Sequence, residues 1–414
     1  MQAKSISESV PPVTTQEGVI LGFRPMTRSR LSEVILTSER KERSMRVIFH
    51  RRELAILSLV AAAALLLVGG RGWSAEKTEV GVRLEFWKGH FDRNADAFHD
   101  WDKQKEIPAV CARCHGANSL PEYLAEGKNT PAPHVKNGLA CTDCHADMLS
   151  YARHNVPKVT FPSGTTVESG HNDTNLCMTC HQGRESTVSV NKAVAELPLD
   201  TPNTKLNFIH VHFYGAGATR YGTEAKGGYE YEGKTYVRYF PHMPNVNTCT
   251  GCHQPHTGEV MVERCGGCHD GIKTLADLAN IRMATRGDFD GNGREEGLAK
   301  EIAGLQTQLY AAIQTYAKNV GGAGIGFTEA AYPHWFIDKN GNGRIDPEEV
   351  STDNSYHAYT PRLLEAVYNY TYSVRDPGGA YHNARYVLQL LYDSLESLAA
   401  SGKTDVNMNG KMRP

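Results

Sequence analysis

The chain has 414 residues and a mass of 45.6 kDa, with 40% hydrophobic and 22% charged residues, a globular composition that excludes a disordered or collagen-like chain. Ten cysteines in that length are too sparse for a disulfide-dense miniprotein. Of 44 Lys and Arg and 46 Asp and Glu, residues 1–74 carry 11 and 6, which leaves 33 against 40 beyond them; such an acidic body speaks against nucleic acid as a partner.

Residues 54–68 (LAILSLVAAAALLLV) form an apolar run that is short for a membrane span and suits the core of an export signal. Arg46, Arg51 and Arg52 precede it, and the small residues Gly72 and Ser74 follow at a spacing suited to signal peptidase. Residues 1–44 are polar, lack periodicity and contain Pro11-Pro12, whereas Met45 opens an ordinary signal start, MRVIFHRRELAIL. The expectation is translation from Met45, a mature chain from near residue 75, and export to the periplasm or outer cell surface. An uncleaved, tilted anchor helix is the alternative. Residues 1–74 then read as an extension plus signal peptide. Residues 75–275, which hold all ten cysteines, read as a second domain, and 276–414 as a helical region packed on it.

All ten cysteines fall in five Cys-x-x-Cys-His segments. These are Cys111, Cys114 and His115; Cys141, Cys144 and His145; Cys177, Cys180 and His181; Cys249, Cys252 and His253; and Cys265, Cys268 and His269. This is the c-type haem attachment signature. Two thiols three residues apart add to the two vinyl groups of one haem, and the histidine that follows sits under the iron as proximal ligand. A thioredoxin-like redox pair would occur once and would not need the histidine. Zinc sites would use paired Cys-x-x-Cys without a histidine at each fifth place. Five haem c groups are therefore expected.

Beyond residue 74, twelve histidines remain for the sixth coordination places, a surplus that favours bis-histidine ligation. His90 lies ahead of the first motif. His210 and His212 alternate in IHVHF and share one face. His242 lies just before the fourth motif, His256 follows it in CTGCHQPH, and His382 opens a helical pattern. The fourth and fifth motifs start only sixteen residues apart, so their haems should be neighbours. His99, His134, His154, His334 and His357 read as surface or capping residues, and His171 equally as a turn or N-cap. Met243 and Met261 are further ligand candidates, and a methionine ligand would raise a haem potential.

The fold class expected is mainly α, with little regular structure around the haems. A small β-hairpin is read at 229–240 (YEYEGKTYVRYF), turning at Glu232-Gly233, with a loop stapled by tyrosines as the alternative. Helical periodicity covers 297–320, 361–375 and 380–401, and the first and last segments are long enough to pair in a C-terminal bundle. Tyr368, Tyr370, Tyr372 and Tyr386 read as packing residues. The segment DKNGNGRIDPEE (338–349) matches an EF-hand calcium loop. Asp338, Asn340, Asn342 and Asp346 would give side-chain oxygens, Arg344 its carbonyl and Glu349 a bidentate carboxylate. DFDGNGREEGLA (288–299) opens the same way with Asp288, Asp290 and Asn292, but Ala299 holds its twelfth place and Glu295 or Glu296 would have to substitute.

With the motifs placed, the chain resembles the multihaem c-type cytochromes of anaerobic, often metal-reducing bacteria from about residue 85 to 400. The carrying residues are GHFDRNADAFHDW, NLCMTCHQGRES, GATRYGTEAKGGYEY, NTCTGCHQPHTGEV, DFDGNGREEG and RDPGGAYHNARYVLQLLYDSLESL. The last segment is similar to the C-terminal helix of the wider superfamily of pentahaem nitrite reductase and octahaem hydroxylamine oxidoreductase. There a histidine near such a helix ligates a haem, which implies His382 here and, by similarity, His90, His212, His242 and His256 as distal ligands. The chain departs from the nitrite reductases, whose catalytic haem usually has lysine after its Cys-x-x-Cys, because all five motifs end in histidine. The resemblance implies electron transfer in anaerobic respiration. The expected donor is another cytochrome or a membrane quinol-oxidising complex, and the acceptor a terminal reductase, an outer-surface cytochrome or extracellular metal. The rival readings are a reductase of a small nitrogen or sulfur oxyanion with one open haem, and a homo-oligomeric cytochrome filament.

Overall fold

Regular structure in this computed structural model follows the cysteine motifs first and long apolar stripes afterwards. The structure describes His90 and residues 100–133, 139–282 and 285–414. The expected export segment with Met45, and also His99 and His134, lie outside the described residues.

The chain is mainly α. Its first part carries short helices: α1 (Ala109–His115), α2 (Ser119–Glu126), α3 (Cys141–Cys144), α4 (Asn172–Met178), α5 (Thr187–Val194), α6 (Ala216–Tyr221), α7 (Cys249–Cys252) and α8 (Val262–Gly266). They stay short because local signals stop them. Gly127, in the left-handed region that a Cβ disfavours, closes α2, and the Ser186 hydroxyl accepts from the Val188 amide to open α5. Two-stranded antiparallel pairs fill some gaps: β1 (Glu106–Ile107) with β2 (Ala132–Pro133), β3 (His145–Asp147) with β4 (Ala152–Arg153), and β5 (Val159–Thr160) with β6 (Thr166–Val167). Small apolar clusters sit here, such as Leu120, Phe161, Leu176, Met178 and Tyr221.

The main core is C-terminal. Helices α9 (Leu298–Tyr316), α10 (Pro361–Arg375) and α11 (Gly379–Ala400) agree with the three periodic segments, and α9 and α10 both pack on α11. Between α9 and α10, β7 (Ile325–Phe327) pairs antiparallel with β8 (Trp335–Ile337). Helix α10 starts where the Thr360 hydroxyl accepts from the Leu363 amide, 3.1 Å away, with Pro361 at the first helical place. Leu305, Leu309, Ile313, Leu363, Leu364, Leu391 and Leu395 meet in the interior with no exposed surface. Burying each such side chain contributes about 1.5–3 kcal/mol. Trimming one methyl there, Ile313→Val, should lower unfolding free energy by about 0.5–1.5 kcal/mol in a denaturant titration.

The segment 229–240 differs from the expected hairpin. Its turn exists, with Gly233 at φ 76°, but its arms form no ladder. Their amides bond elsewhere: Tyr229 N to Asn369 Oδ1 (2.7 Å), Glu230 N to Thr187 Oγ1 (2.9 Å) and Val237 N to Gln389 Oε1 (2.9 Å). The Tyr229 hydroxyl donates to Glu365 and the Tyr231 hydroxyl to Ser394. A tyrosine-stapled loop won because polar groups on α5, α10 and α11 satisfied the backbone that a partner strand would have satisfied. Tyr368, Tyr372 and Tyr386 are buried, and each hydroxyl finds a partner, in Gly227, Thr219 and Glu230.

Candidate metal centres

Each Cys-x-x-Cys-His segment coils into a helical turn. A turn brings residues i and i+3 to one side, so both sulfurs face the same way and the histidine follows at the end. The amides of His145, His181, His253 and His269 bond back to the carbonyl of the first cysteine of their own motif. None of the ten cysteines forms a disulfide. Sulfurs of different motifs also lie beside one another: Cys114 next to Cys180, whose Sγ is 3.9 Å from the Arg113 carbonyl, and Cys177 next to Cys249. Arg264, beside the fifth motif, donates to the carbonyls of Thr250 and Gly251 in the fourth. Motifs one, three, four and five therefore run in contact in that order. The second motif is held against α2, where its buried Asp143 accepts from the Leu120 amide.

Every motif histidine faces one other histidine. The ring centres of His115 and His212 are 5.9 Å apart, of His145 and His256 6.3 Å, and of His181 and His90 5.8 Å. Those of His253 and His382 are 6.3 Å apart, as are those of His269 and His242. Two imidazoles sharing a metal ion hold it about 2 Å from each ring nitrogen, and each nitrogen is about 1.1 Å from its ring centre, so the centres stand roughly 6 Å apart. The observed spacings fit an iron between each pair.

Hydrogen bonds on the far side of the rings fit as well. Nδ1 of His145 donates to the Tyr151 carbonyl (2.7 Å), of His181 to Tyr214 (3.2 Å), of His253 to Gly258 (3.1 Å) and of His90 to Pro255 (3.1 Å). A carbonyl only accepts, so the proton sits on Nδ1 and the Nε2 lone pair stays available to a metal. Nδ1 of His382 instead lies 2.9 and 3.0 Å from the two carboxylate oxygens of Asp376. Burial lowers the His181 and His212 imidazoles to about 4, which keeps them in the neutral, metal-binding form. Burial would raise Asp376, but the His382 ring against it outweighs that and lowers its pKa.

Other histidines take different places. His210, on the strand-like run with His212, turns to His334, with ring centres 4.9 Å apart, and burial lowers it to about 3. His334 is buried rather than superficial, with Nδ1 on the Thr328 carbonyl. Nε2 of His154 meets the Thr142 carbonyl. His357 is exposed, and the side chain of His171 makes no cap bond to α4.

The loop 338–349 closes on itself. Asp338 Oδ1 accepts from Gly341 and Asn342, and its Oδ2 accepts from Gly343. The buried Glu349 accepts from Lys339, Asn340 and Asp346, at the second, third and ninth places of the loop. Gly343, at φ 81°, makes the turn that no Cβ would favour. The loop 288–299 repeats this pattern from another residue. Asp288 accepts from Gly291, Asn292 and Gly293, while the second-, third- and ninth-place amides, Phe289, Asp290 and Glu296, donate to Glu301. Carboxylate oxygens of Asp288, Asp290 and Glu301 lie within 4.8 Å of one another. Glu295 and Glu296 do not take that part. Glu295 pairs with Arg282 and Arg286, and Glu296 accepts from Asn292 Nδ2. Glu301, on the first turn of α9 and two residues past the twelfth place, was hidden from a reading by fixed spacing. Asp376 was equally hidden, since only the Pro377-Gly378-Gly379 turn carries it back to His382.

Among the described residues no helix is long and apolar enough to cross a membrane. No family model matches the chain, and no solved structure matches it. Curated relatives do match it. C-type polyheme cytochrome OmcB of Geobacter sulfurreducens is 25% identical over 353 residues, covering 72% of this chain and 45% of the relative. C-type polyheme cytochrome OmcC of the same species is 26% identical over 356 residues, covering 72% of this chain and 44% of the relative. The chain spans about half the length of the relatives it matches. The five attachment motifs and this distant similarity agree in pointing to a multihaem c-type cytochrome.

Proposed function

We propose that the chain holds five haem c groups, one on each motif, all bis-histidine ligated, and serves as an electron carrier. The observation that carries this is the pairing of all five motif histidines with five others at 5.8 to 6.3 Å. Bound haem iron supplies one-electron chemistry. The protein's part is to fix the His90, His145, His181, His253 and His382 rings by their Nδ1 bonds, fill both axial places, and set the motifs in contact. His256, three residues after His253, reaches the second motif, and His90 leans on Pro255 between them. The 253–256 segment thus ties the second, third and fourth sites together. Filled axial places favour transfer over substrate chemistry.

The same reading places the protein in anaerobic respiration, exported to the periplasm or outer cell surface. Other cytochromes or a membrane quinol-oxidising complex would donate, and a terminal reductase or extracellular metal would accept. Calcium at Asp338, Asn340, Asn342, Arg344, Asp346 and Glu349, and a second calcium at Asp288, Asp290 and Asn292 with Glu301, brace α9. The first loop docks there through Gln314 and Tyr310, which both donate to the Gly343 carbonyl, and the second runs directly into the helix.

The test is a count. Intact mass and a pyridine haemochrome spectrum of matured protein should give five haems per chain, with EPR of the oxidised form wholly low-spin. Two or fewer haems would sink the proposal. A substantial high-spin signal with nitrite or hydroxylamine turnover would replace it with the reductase reading.

A further inference from the structure

We propose that Asp376 holds the reduction potential of the haem site between His253 and His382 below those of its neighbours; the proposal rests on the ligation reading above. Asp376 and His382 are locked together by one turn. Helix α10 ends at Arg375, Pro377 forbids its continuation, and α11 begins at Gly379, so the carboxylate and the ring meet across six residues. The Gly379 amide bonds the Asp376 carbonyl, 2.9 Å away, which fixes the turn. Gly378 is required there, because a Cβ would lie 2.5 Å from Cε1 of His382. Asp376 is only 4% exposed, and both of its oxygens reach Nδ1 of the ring.

The chemistry follows from the acceptor. His90, His145, His181 and His253 donate to neutral carbonyls, whereas His382 donates to a carboxylate. A buried carboxylate draws the Nδ1 proton and makes Nε2 a stronger electron donor. Its negative charge also favours the more positive, oxidised state of a metal on the other side of the ring, in surroundings where water screens little. Both effects lower a one-electron reduction potential. Asp376 touches no iron and acts through His382, as a positioning residue. The fourth motif stands between the third, through Cys177 and Cys249, and the fifth, through Arg264. A lowered potential there puts an energetic step within the path and divides it into two reservoirs.

The test is Asp376→Asn, which keeps the shape and the hydrogen bond but removes the charge. A haem-resolved redox titration of the full, haem-loaded protein should show the lowest-potential component rising by at least tenfold in its reduced-to-oxidised ratio, about 59 mV for one electron. The other components should move far less, and all irons should stay low-spin. Unchanged potentials, or a common shift of every component, in a protein with all its haems low-spin would overturn the role of Asp376 while leaving the ligation intact. A wild-type protein without haem on Cys249 and Cys252, seen by peptide mapping, would overturn both. Should Asp376→Asn fail to mature, His382→Met identifies the component, because a methionine ligand raises it. If the component that rises is not the lowest of the wild type, the proposal is wrong.

Discussion

Replacing His256 with alanine should turn one iron high-spin while leaving the mass of bound haem unchanged. The attachment of the second haem depends on Cys141 and Cys144, which the substitution does not touch. On the proposed ligation the distal place depends on His256, whose ring centre lies 6.3 Å from that of His145. His256 is exposed on the loop after the fourth motif. Covalent attachment through Cys141 and Cys144 does not use His256, so maturation should proceed. The spectroscopic change is then the whole effect: a high-spin signal in EPR and resonance Raman equal to one iron in five. The potential of that haem should move on the order of 0.1 V, within the roughly 0.8 V that axial ligation spans. Added imidazole should restore the low-spin spectrum. A fully low-spin variant would mean that another residue holds the sixth place, and the ring pairing would then say nothing about ligation.

How much of this was legible in the sequence depended on how local each interaction is. The attachment motifs span five residues and declare themselves by spacing. The EF-hand-like loop at 338–349 spans twelve and does the same. Helices α9, α10 and α11 were legible because their apolar stripes repeat at three and four residues, whatever they pack against. The pairing of rings was different. Residues as distant in sequence as His115 and His212, or His253 and His382, meet only because the intervening chain folds back. Sequence supplied the candidates, by a surplus of histidines and by resemblance, but not the partner of each. His334 was misjudged as superficial because nothing local reveals that β8 begins beside it and draws it inward. The 229–240 segment misled in the opposite sense. Its alternating tyrosines carry the period of a strand, yet their hydroxyls and amides were claimed by helices more than 130 residues on. Glu301 escaped because the second loop borrows its closing carboxylate from the next helix, out of the fixed register.

Removing calcium should lower the melting temperature of the haem-loaded protein, and Glu349→Gln should abolish much of that dependence. Glu349 is the residue through which the loop closes. In the structure its two oxygens gather the Lys339, Asn340 and Asp346 amides, the same oxygens a calcium ion would take as a bidentate pair. Binding to the folded state alone stabilises by about 2.7 kcal/mol at a hundredfold excess of free calcium over Kd. For a domain of this size that is roughly 4 °C in melting temperature. The Glu349→Gln variant should lose about half of the chelator-sensitive shift, because the 288–299 loop remains, and Glu349→Gln with Glu301→Gln should lose nearly all of it. The comparison with and without chelator matters more than the absolute melting point, since glutamine also weakens the bonds Glu349 makes to the loop amides. The Asp346 amide, ahead of those of Lys339 and Asn340, holds the Glu349 carboxyl below its ordinary pKa, so the group stays ionised to lower pH than a free glutamate. A lowered pKa contributes stability above the unfolded value and loses it as pH falls through the folded one. The calcium increment should therefore stay level from neutral pH down to the usual carboxylate range and fall away only below it. A wild-type melting curve that chelator leaves in place would show that these loops close without a metal.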